Sequence, residues 1–204
     1  MATDRIDTRT QIMDAAQALI LQHGFAGTSI DAILEEVGLT KGAFFHHFRS
    51  KSDLAHALIE RFAEADEALL DGLLKRAERL SRDPLGQVLI VVGLLEEMAD
   101  ELTEPNPGCL FASFCYETQL FDDEVHEVIR RAFALWRRRL GEKLRAALEV
   151  RTPRLPADPD ALADMLTVVV EGVYVLSKSM KDPKLVATQL RQYRYYLELL
   201  FGEG

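Results

Sequence analysis

Cationic side chains are concentrated in one short stretch of an acidic chain. The chain of 204 residues has a formal net charge of -9, yet the stretch from Lys41 to Lys51 contains Arg49, two histidines and no carboxylate. Cations arranged along one edge neutralise phosphates, which is the main source of protein affinity for DNA. A protein with a net negative charge can still carry a small basic surface patch. The stretch therefore predicts a local DNA-binding surface.

Residue size and position predict separate tasks within this stretch. Thr40 and Lys41 are expected to begin a helix, where unpaired backbone amides also favour phosphate. Gly42 and Ala43 are small enough to let that helix enter a major groove deeply. The side chains expected to reach the DNA backbone are His46, His47, Lys51 and, from the preceding helix, Thr28.

The adjacent histidines have two alternative interpretations, a metal pair or a solvated face. Neighbouring residues on a helix point about 100° apart, and the sequence offers no further ligands at metal-binding spacing. A metal site is therefore not expected, and no cofactor is expected either.

Two helices are predicted before this stretch. Apolar residues at three- and four-residue spacing predict a helix over residues 8–23, which Gly24 ends. Thr28 is expected to cap the second helix, with Asp31 completing a capping box, and Gly38 ends that helix.

The third helix is predicted over residues 41–48. Thr40 is its N-cap, and Phe44 and Phe48, four residues apart, are expected to face inward. Three short helices joined by glycine-containing turns match the layout of a helix-turn-helix. The alternative is a generic three-helix cap in which the glycines only end helices.

The remaining sequence predicts six further helices and no strand. Ser50 and Asp53 form a capping box that opens a long helix ending near Leu80. Three Asp-Pro pairs each supply an N-cap followed by proline at the first helical position. The later helices are predicted over residues 85–102, 109–120, 124–149, 160–180 and 184–201. The predicted fold is therefore all-α with about nine helices, comprising a helix-turn-helix domain at 1–50 and a larger helical domain at 51–204.

The last two helices are apolar on more than one side. Such helices must be covered on both faces, and the second cover is often another copy of the same chain. A symmetric homodimer joined by a four-helix bundle of these helices is expected. The alternative is that one chain buries both helices completely.

The amino-terminal stretch resembles the TetR family of bacterial repressors. The family signature Gly-x-Ser/Thr-x-Gly-x-Leu/Phe-Tyr-x-His/Tyr-Phe-x-Ser/Asn-Lys-x-x-Leu is matched by Gly38, Thr40, Gly42, Phe44, His47, Phe48, Ser50, Lys51 and Leu54. The rest of the chain is similar only in helix count, length and its apolar last helices. Phe45 departs from the family, which usually has tyrosine there. A phosphate contact through that hydroxyl would be lost, whereas the Phe45 ring can still pack against sugar.

The resemblance implies a repressor that binds a palindromic operator as a homodimer and is released by a small-molecule or electrophile effector. The helices of 51–204 are then expected to sense the ligand and to form the dimer. Candidate lining residues are Phe62, Met98, Phe111, Phe114, Trp136, Met165 and Tyr174, with Glu171 as a polar handle. For each of them, the favoured alternative is a plain role in the core.

Cys109 is the candidate for a redox sensor. It is expected at the first turn of a helix, where the helix dipole favours the thiolate. The sequence Gly108-Cys109-Leu110 also resembles the branch of the family that senses electrophiles and oxidants through a cysteine. In that branch a lysine of the penultimate helix engages the cysteine, and Lys178 is the candidate by position. The alternative is that Cys109 is a small buried residue.

Other classes of protein lack the motifs that they require. The sequence contains no Ser/His/Asp set, glycine-rich phosphate loop or paired catalytic carboxylates, so an enzyme is not expected. The competing class is an all-α small-molecule-binding protein or enzyme without DNA binding. No secretory signal or membrane-spanning stretch of about 18 apolar residues is found. Cys109 and Cys115 do not suit an intrahelical disulfide, and a cytoplasmic location is expected.

A second basic run extends from Arg130 to Arg145 on the predicted helix over 124–149. A solvated face paired with nearby carboxylates is the favoured interpretation, and a second nucleic-acid site is the alternative.

Overall fold

A computed structural model of the chain describes residues 7–202. Within this range the backbone forms nine α-helices and no β-strand. The helices are α1 (Thr8–Gly27), α2 (Ile30–Val37), α3 (Lys41–His47), α4 (Lys51–Leu80), α5 (Pro84–Asp100), α6 (Leu110–Tyr116), α7 (Asp123–Val150), α8 (Pro159–Met180) and α9 (Leu185–Phe201), with a 3₁₀ turn at Thr118–Leu120 after α6. The all-α prediction with about nine helices is confirmed.

Two compact units can be distinguished in the described chain. The first unit contains the described residues up to Glu64 together with Pro107–Arg130. The second unit contains Ala65–Asn106 and the described residues from Arg131 onward. The boundary predicted at residue 50 separates a DNA-binding domain from a sensing and dimerisation domain, and it stays a prediction.

The joint between α1 and α2 differs from the prediction. Gly24 has a positive φ of 77°, but the chain resumes helical geometry after this kink and continues to Gly27. The predicted capping box at Thr28 is wrong. Ser29 is the N-cap of α2, and its hydroxyl accepts a hydrogen bond from the Ala32 amide at 3.0 Å.

The predicted caps around α3 and α4 are present. Gly38 ends α2 in the left-handed conformation (φ 65°, ψ 32°). The Thr40 hydroxyl accepts from the Ala43 amide at 3.4 Å. The Ser50 hydroxyl accepts from the Asp53 amide at 3.1 Å, and the Asp53 carboxylate accepts from the Arg49 amide at 2.9 Å.

An aromatic cluster forms part of the first unit's core. The rings of Phe114 and Phe121 stack with centroids 4.2 Å apart, and Phe25 lies 5.7 Å and 4.7 Å from them. The helix predicted over 109–120 is shorter than expected, because α6 ends at Tyr116 before the 3₁₀ turn. Asp122 caps α7 by accepting from the Val125 amide at 3.2 Å.

The second unit is built around α5, α8 and α9. Asp83 caps α5 by accepting from the Gly86 amide at 2.7 Å, and Asp158 caps α8 in the same manner at the Asp160 amide. The Tyr193 hydroxyl of α9 donates to the Leu162 carbonyl of α8 at 2.7 Å, and both side chains are buried. Within residues 7–202, no helix combines the length and apolar content needed to cross a membrane.

Replacing Tyr193 by Phe should lower the free energy of unfolding by about 1 kcal/mol, the usual contribution of one neutral hydrogen bond. Burial raises the pKa of the Tyr193 phenol, so its hydroxyl keeps its proton at neutral pH and donates. Urea unfolding at a fixed protein concentration measures the change. The matched control is Tyr116→Phe, because Tyr116 is 80% exposed. Equal effects of the two substitutions would contradict the role of the Tyr193 bond.

Candidate nucleic-acid interface

Helix α3 has one buried face and one exposed face. Phe44 and Phe48 are 0% and 2% exposed, and their ring centroids lie 5.6 Å apart. The exposed residues of the helix are Lys41, Gly42, Phe45 and His46. The structure therefore brings a cation, a residue without a side chain, an aromatic ring and an imidazole together on one outward surface, which we call the α3 face.

The aromatic members of this region lie close together. Phe45 is 54% exposed, although its ring and that of Phe44 form a T-shaped pair with centroids 5.3 Å apart. The rings of His46 and His47 are 4.9 Å apart and nearly perpendicular. His47 and Ala43 are half-buried, so they lie at the edge of the α3 face rather than at its centre.

Lys41 is already paired in this structure. Its ammonium lies 2.9 Å from one carboxylate oxygen of Asp31 and 3.2 Å from the other, and both side chains are largely exposed. Asp31 lies on α2, outside the stretch from Lys41 to Lys51. The lack of carboxylates within that stretch therefore did not predict this ion pair. An exposed ion pair contributes little to stability, and Lys41 can exchange Asp31 for a phosphate.

Lys51 is directed into the first unit. Its ammonium donates a hydrogen bond to the Phe25 carbonyl and lies 4.0 Å from the centroid of the Phe25 ring. Burial lowers the pKa of Lys51, and the nearby Glu117 carboxylate opposes that shift. The expectation that Lys51 points outward toward the DNA backbone is therefore not met in this structure.

Thr28 also differs from its predicted role. It is only 1% exposed, its hydroxyl donates to the Gly24 carbonyl at 2.8 Å, and its amide donates to the Phe25 carbonyl at 3.3 Å. The prediction that Thr28 offers an open hydroxyl and amide is wrong, because both groups are used within the first unit. The exposed hydroxyl-bearing residue at this joint is Ser29.

Several residues near the interface were missed from the sequence. Arg9 is exposed and lies over the Phe48 ring, 5.2 Å from its centroid. The sequence shows Asp31 as a charged residue and Ser29 as a capping residue. Their roles depend on the folded chain: Asp31 pairs with Lys41, and Ser29 becomes the N-cap of α2 after the kink at Gly24. Glu117 binds the amides of Phe25 and Ala26, a contact without any local sequence signal.

The basic run on α7 is paired with carboxylates. The pairs and their distances are Arg137–Asp164 at 2.6 Å, Arg139–Asp71 at 2.9 Å, Lys143–Glu78 at 2.6 Å and Arg145–Asp160 at 2.7 Å. The Asp164 hydrogen bonds raise the pKa of Arg137. The favoured interpretation, a solvated and ion-paired face, is confirmed for these residues.

The predicted ligand-binding residues are divided between the two units. In the first unit, Phe62 packs edge-on against the buried Phe111 at 4.8 Å, and Phe114 belongs to the aromatic cluster. Cys109 is half-buried and is the N-cap residue of α6, so it lies directly before the first helical turn rather than within it as predicted. Neither cysteine forms a disulfide. Phe111 and Phe114 therefore serve the core of the first unit.

The remaining candidates lie in the second unit. Glu171, Tyr174, Trp136 and Met165 are half-buried, Lys178 is exposed and Met98 is 48% exposed. The exposure of Met98 does not fit the lining of an enclosed pocket. Trp136 has an unpredicted partner, since its indole nitrogen donates to the Asp66 carboxylate at 2.7 Å. Burial raises the pKa of Asp66, and the Trp136 hydrogen bond opposes that shift.

A cavity of about 380 Å³ lies between α5 and α9 in the second unit. It is lined by Leu89, Ile90 and Gly93 and by the polar residues Glu96, Glu97, Asp100, Arg194 and Glu198. The Arg194 guanidinium donates to the buried Glu96 at 2.7 Å. None of the predicted ligand-binding residues lines this cavity.

Comparisons with known proteins agree with the helix-turn-helix geometry. Residues 12–58 match the family described as bacterial regulatory proteins, tetR family, and residues 91–193 match the family described as tetracyclin repressor-like, C-terminal domain. Together the two matched ranges span most of the chain. The chain belongs to the TetR family of DNA-binding transcriptional regulators.

Individual relatives support the same assignment. The transcriptional regulator AcuR of Cereibacter sphaeroides is 28% identical over 167 residues, covering 78% of this chain and 71% of that protein. The transcriptional repressor DhaR of a Mycobacterium species is 23% identical over 174 residues, covering 85% and 84%. The transcriptional repressor NemR of Escherichia coli is 36% identical over 77 residues, covering 38% and 39%.

Solved structures share the fold. A TetR-family regulator from Agrobacterium tumefaciens superposes with a TM-score of 0.75 at 24% identity, covering 93% of this chain and 96% of that one. A regulatory protein TetR from Rhodobacter sphaeroides superposes with a TM-score of 0.73 at 25% identity, covering 93% and 98%.

The Lys41–Asp31 pair generates a test of the α3 face. Asp31→Asn should strengthen DNA binding by up to about fivefold, because it releases Lys41 from a surface ion pair. Lys41→Met should weaken binding and reduce the slope of log affinity against log salt by about 0.9, the effect of one phosphate contact. Fluorescence anisotropy over a salt series measures both. An unchanged slope in Lys41→Met would show that Lys41 contacts no phosphate.

Proposed function

We propose that this chain is a repressor that reads a palindromic operator through α3 and leaves it when an effector binds. The supporting observation is the α3 face, which stands on the buried rings of Phe44 and Phe48. Gly42 lets the helix approach base edges, and Lys41 can contact a phosphate. The exposed ring of Phe45 suits an apolar contact with sugar or with a thymine methyl group.

A homodimer is the second part of the proposal. On α8, Val168, Val175 and Leu176 are 68%, 62% and 43% exposed, and on α9 Leu199 is 60% exposed. These side chains lie open in the single chain, which supports a homodimer over the alternative that one chain buries both helices completely. In a symmetric pair, α8 and α9 can cover their copies as a four-helix bundle. The two α3 helices can then occupy half-sites about 34 Å apart.

An effector completes the proposal. The match of residues 91–193 to a tetracyclin repressor-like domain supports a sensing role for this part of the chain. The effector is a small molecule or an electrophile. It acts by binding one conformation of the dimer more tightly than another, and the two conformations differ in the distance between the two α3 helices. Cys109 is the candidate target for an electrophile, because it is half-buried rather than enclosed at the start of α6.

Catalysis and cofactors have no part in this proposal, and the regulator is expected to work in the cytoplasm, where its DNA lies. The competing class, an all-α binding protein or enzyme without DNA binding, gives no reason for the α3 face. That face leaves an aromatic ring 54% exposed beside a lysine and a histidine.

A gel shift on the DNA upstream of the chain's own gene tests the function. Wild-type protein should give a specific, salt-dependent shift. Val168→Asp places a charge in the proposed dimer face, so the variant should sediment as a monomer. It should bind the operator at least about a hundredfold more weakly, because binding at one half-site no longer assists binding at the other. The matched control is Leu155→Asp, since Leu155 is 58% exposed but lies outside α8 and α9. No specific wild-type shift at low salt would refute the repressor proposal.

Release by an electrophile is tested with two cysteine variants. Cys109→Ser should keep DNA binding and lose release by N-ethylmaleimide, because serine is not alkylated under these conditions. Cys115→Ser is the matched control, since Cys115 is exposed, and it should be released like the wild type. Unchanged release of Cys109→Ser would rule out Cys109 as the sensor.

A further inference from the structure

A carboxylate from the middle of the chain binds the backbone at the joint between α1 and α2. Glu117 follows α6, and its two carboxylate oxygens accept hydrogen bonds from the Phe25 amide at 2.6 Å and from the Ala26 amide at 2.9 Å. Two successive amides that point at one anion form an anion-binding concavity, and charge-assisted bonds of this kind are stronger than neutral ones. The first unit therefore contains an anion site that its own side chain occupies.

The kink at Gly24 creates this site. Its φ of 77° is a conformation that residues with a side chain rarely adopt. A Cβ atom at this position would also lie 2.8 Å from a carboxylate oxygen of Glu117. The kink interrupts the helical ladder, so the amides of Phe25 and Ala26 are available for a partner outside α1. Glycine is required here both for the backbone turn and for the close approach of the carboxylate.

Lys51 brings the start of α4 to the same place. Its ammonium donates to the Phe25 carbonyl, and the Glu117 charge favours its protonated form. The Phe25 ring packs against Phe114 of α6 and against Phe121. One residue, Phe25, is thus held through its amide, its carbonyl and its ring by groups from α4 and from the segment 114–121.

We infer that Glu117 is a positioning residue for DNA binding. By holding the joint between α1 and α2, it fixes the direction in which α2 and α3 leave α1, although it lies outside the α3 face. The affinity for DNA then depends on where α6 and the following 3₁₀ turn place this carboxylate. This inference rests on the proposed function, and it adds a specific contact through which the segment after α6 controls the same surface.

The sign of the effect separates this role from simple electrostatics. Removing a carboxylate from a DNA-binding protein ordinarily strengthens binding, because the carboxylate repels phosphates. If Glu117 positions α2 and α3, its neutralisation should weaken binding instead. The two explanations therefore predict opposite changes for one substitution.

The experiment compares Glu117→Gln with Glu36→Gln on the operator found in the gel shift. Glu36 is an exposed carboxylate on α2 of the same unit, so its variant measures the charge effect alone. We expect Glu117→Gln to bind at least about tenfold more weakly, as loss of charge-assisted bonds implies, with an unchanged salt slope because no phosphate contact is lost. Hydrogen exchange should accelerate at the amides of Phe25 and Ala26, while the second unit keeps its protection.

Glu117→Asp provides a second variant that keeps the charge. Its shorter side chain cannot span both amides, so DNA binding should again weaken, whereas a purely electrostatic role predicts no change. Equal or tighter binding by both variants would overturn the inference. If wild-type protein gives no specific shift at all, the proposed function fails instead, so the two failures can be told apart.

Discussion

The proposed DNA-reading surface depends on how a helix of seven residues is held in place. Helices this short are unstable on their own, because the cost of nucleation is not recovered by so few hydrogen bonds. In α3 the compensation comes from Phe44 and Phe48, each of which contributes about 1.5–3 kcal/mol by leaving water. Gly38 and the Thr40 cap fix where the helix begins. Since the buried face supplies the stability, the outward face is available for DNA.

The distribution of charge restricts where an acidic protein can approach DNA. Four basic residues of α7 each pair with a carboxylate on α4 or α8, namely Arg137, Arg139, Lys143 and Arg145. These pairs neutralise a basic run that would otherwise compete for phosphate. Lys41 differs in its position, because it lies on the α3 face itself. Its pair with Asp31 of α2 is exposed, as are Arg137–Asp164 and Arg145–Asp160 on α7. A phosphate can therefore replace Asp31 at little cost in stability.

Much of the fold could be predicted from local sequence. Gly38, Thr40 and the Asp-Pro pairs at Asp83 and Asp158 mark helix ends because the required backbone angles and hydrogen bonds involve residues at most a few positions apart. The prediction for the third pair is wrong, since α9 begins at Leu185 with Lys184 as its N-cap. The periodic apolar residues gave the nine helices, and the inward assignment of Phe44 and Phe48 followed from the same spacing. These features depend on intervals that the sequence shows directly.

The failures have a common physical cause. Thr28 and Ser29 are both good capping residues, and the choice between them was decided by the Gly24 kink, which frees a carbonyl that accepts the Thr28 hydroxyl. The direction of Lys51 was decided by the Phe25 carbonyl, 26 residues earlier. The ligand-lining residues could not be identified because apolar side chains at helical spacing look the same in a core and in a cavity wall, as Phe111 and Phe114 illustrate.

These contacts also separate the segment that matches the family's amino-terminal region from the segment that folds with it. Residues 12–58 carry the family match for the regulator's amino-terminal region. The first compact unit nevertheless includes Pro107–Arg130. From that segment come Phe114 and Phe121, which pack on Phe25, and Glu117, which binds the Phe25 amide. A segment that helps to hold the reading unit together can alter that unit when it moves, without touching DNA itself.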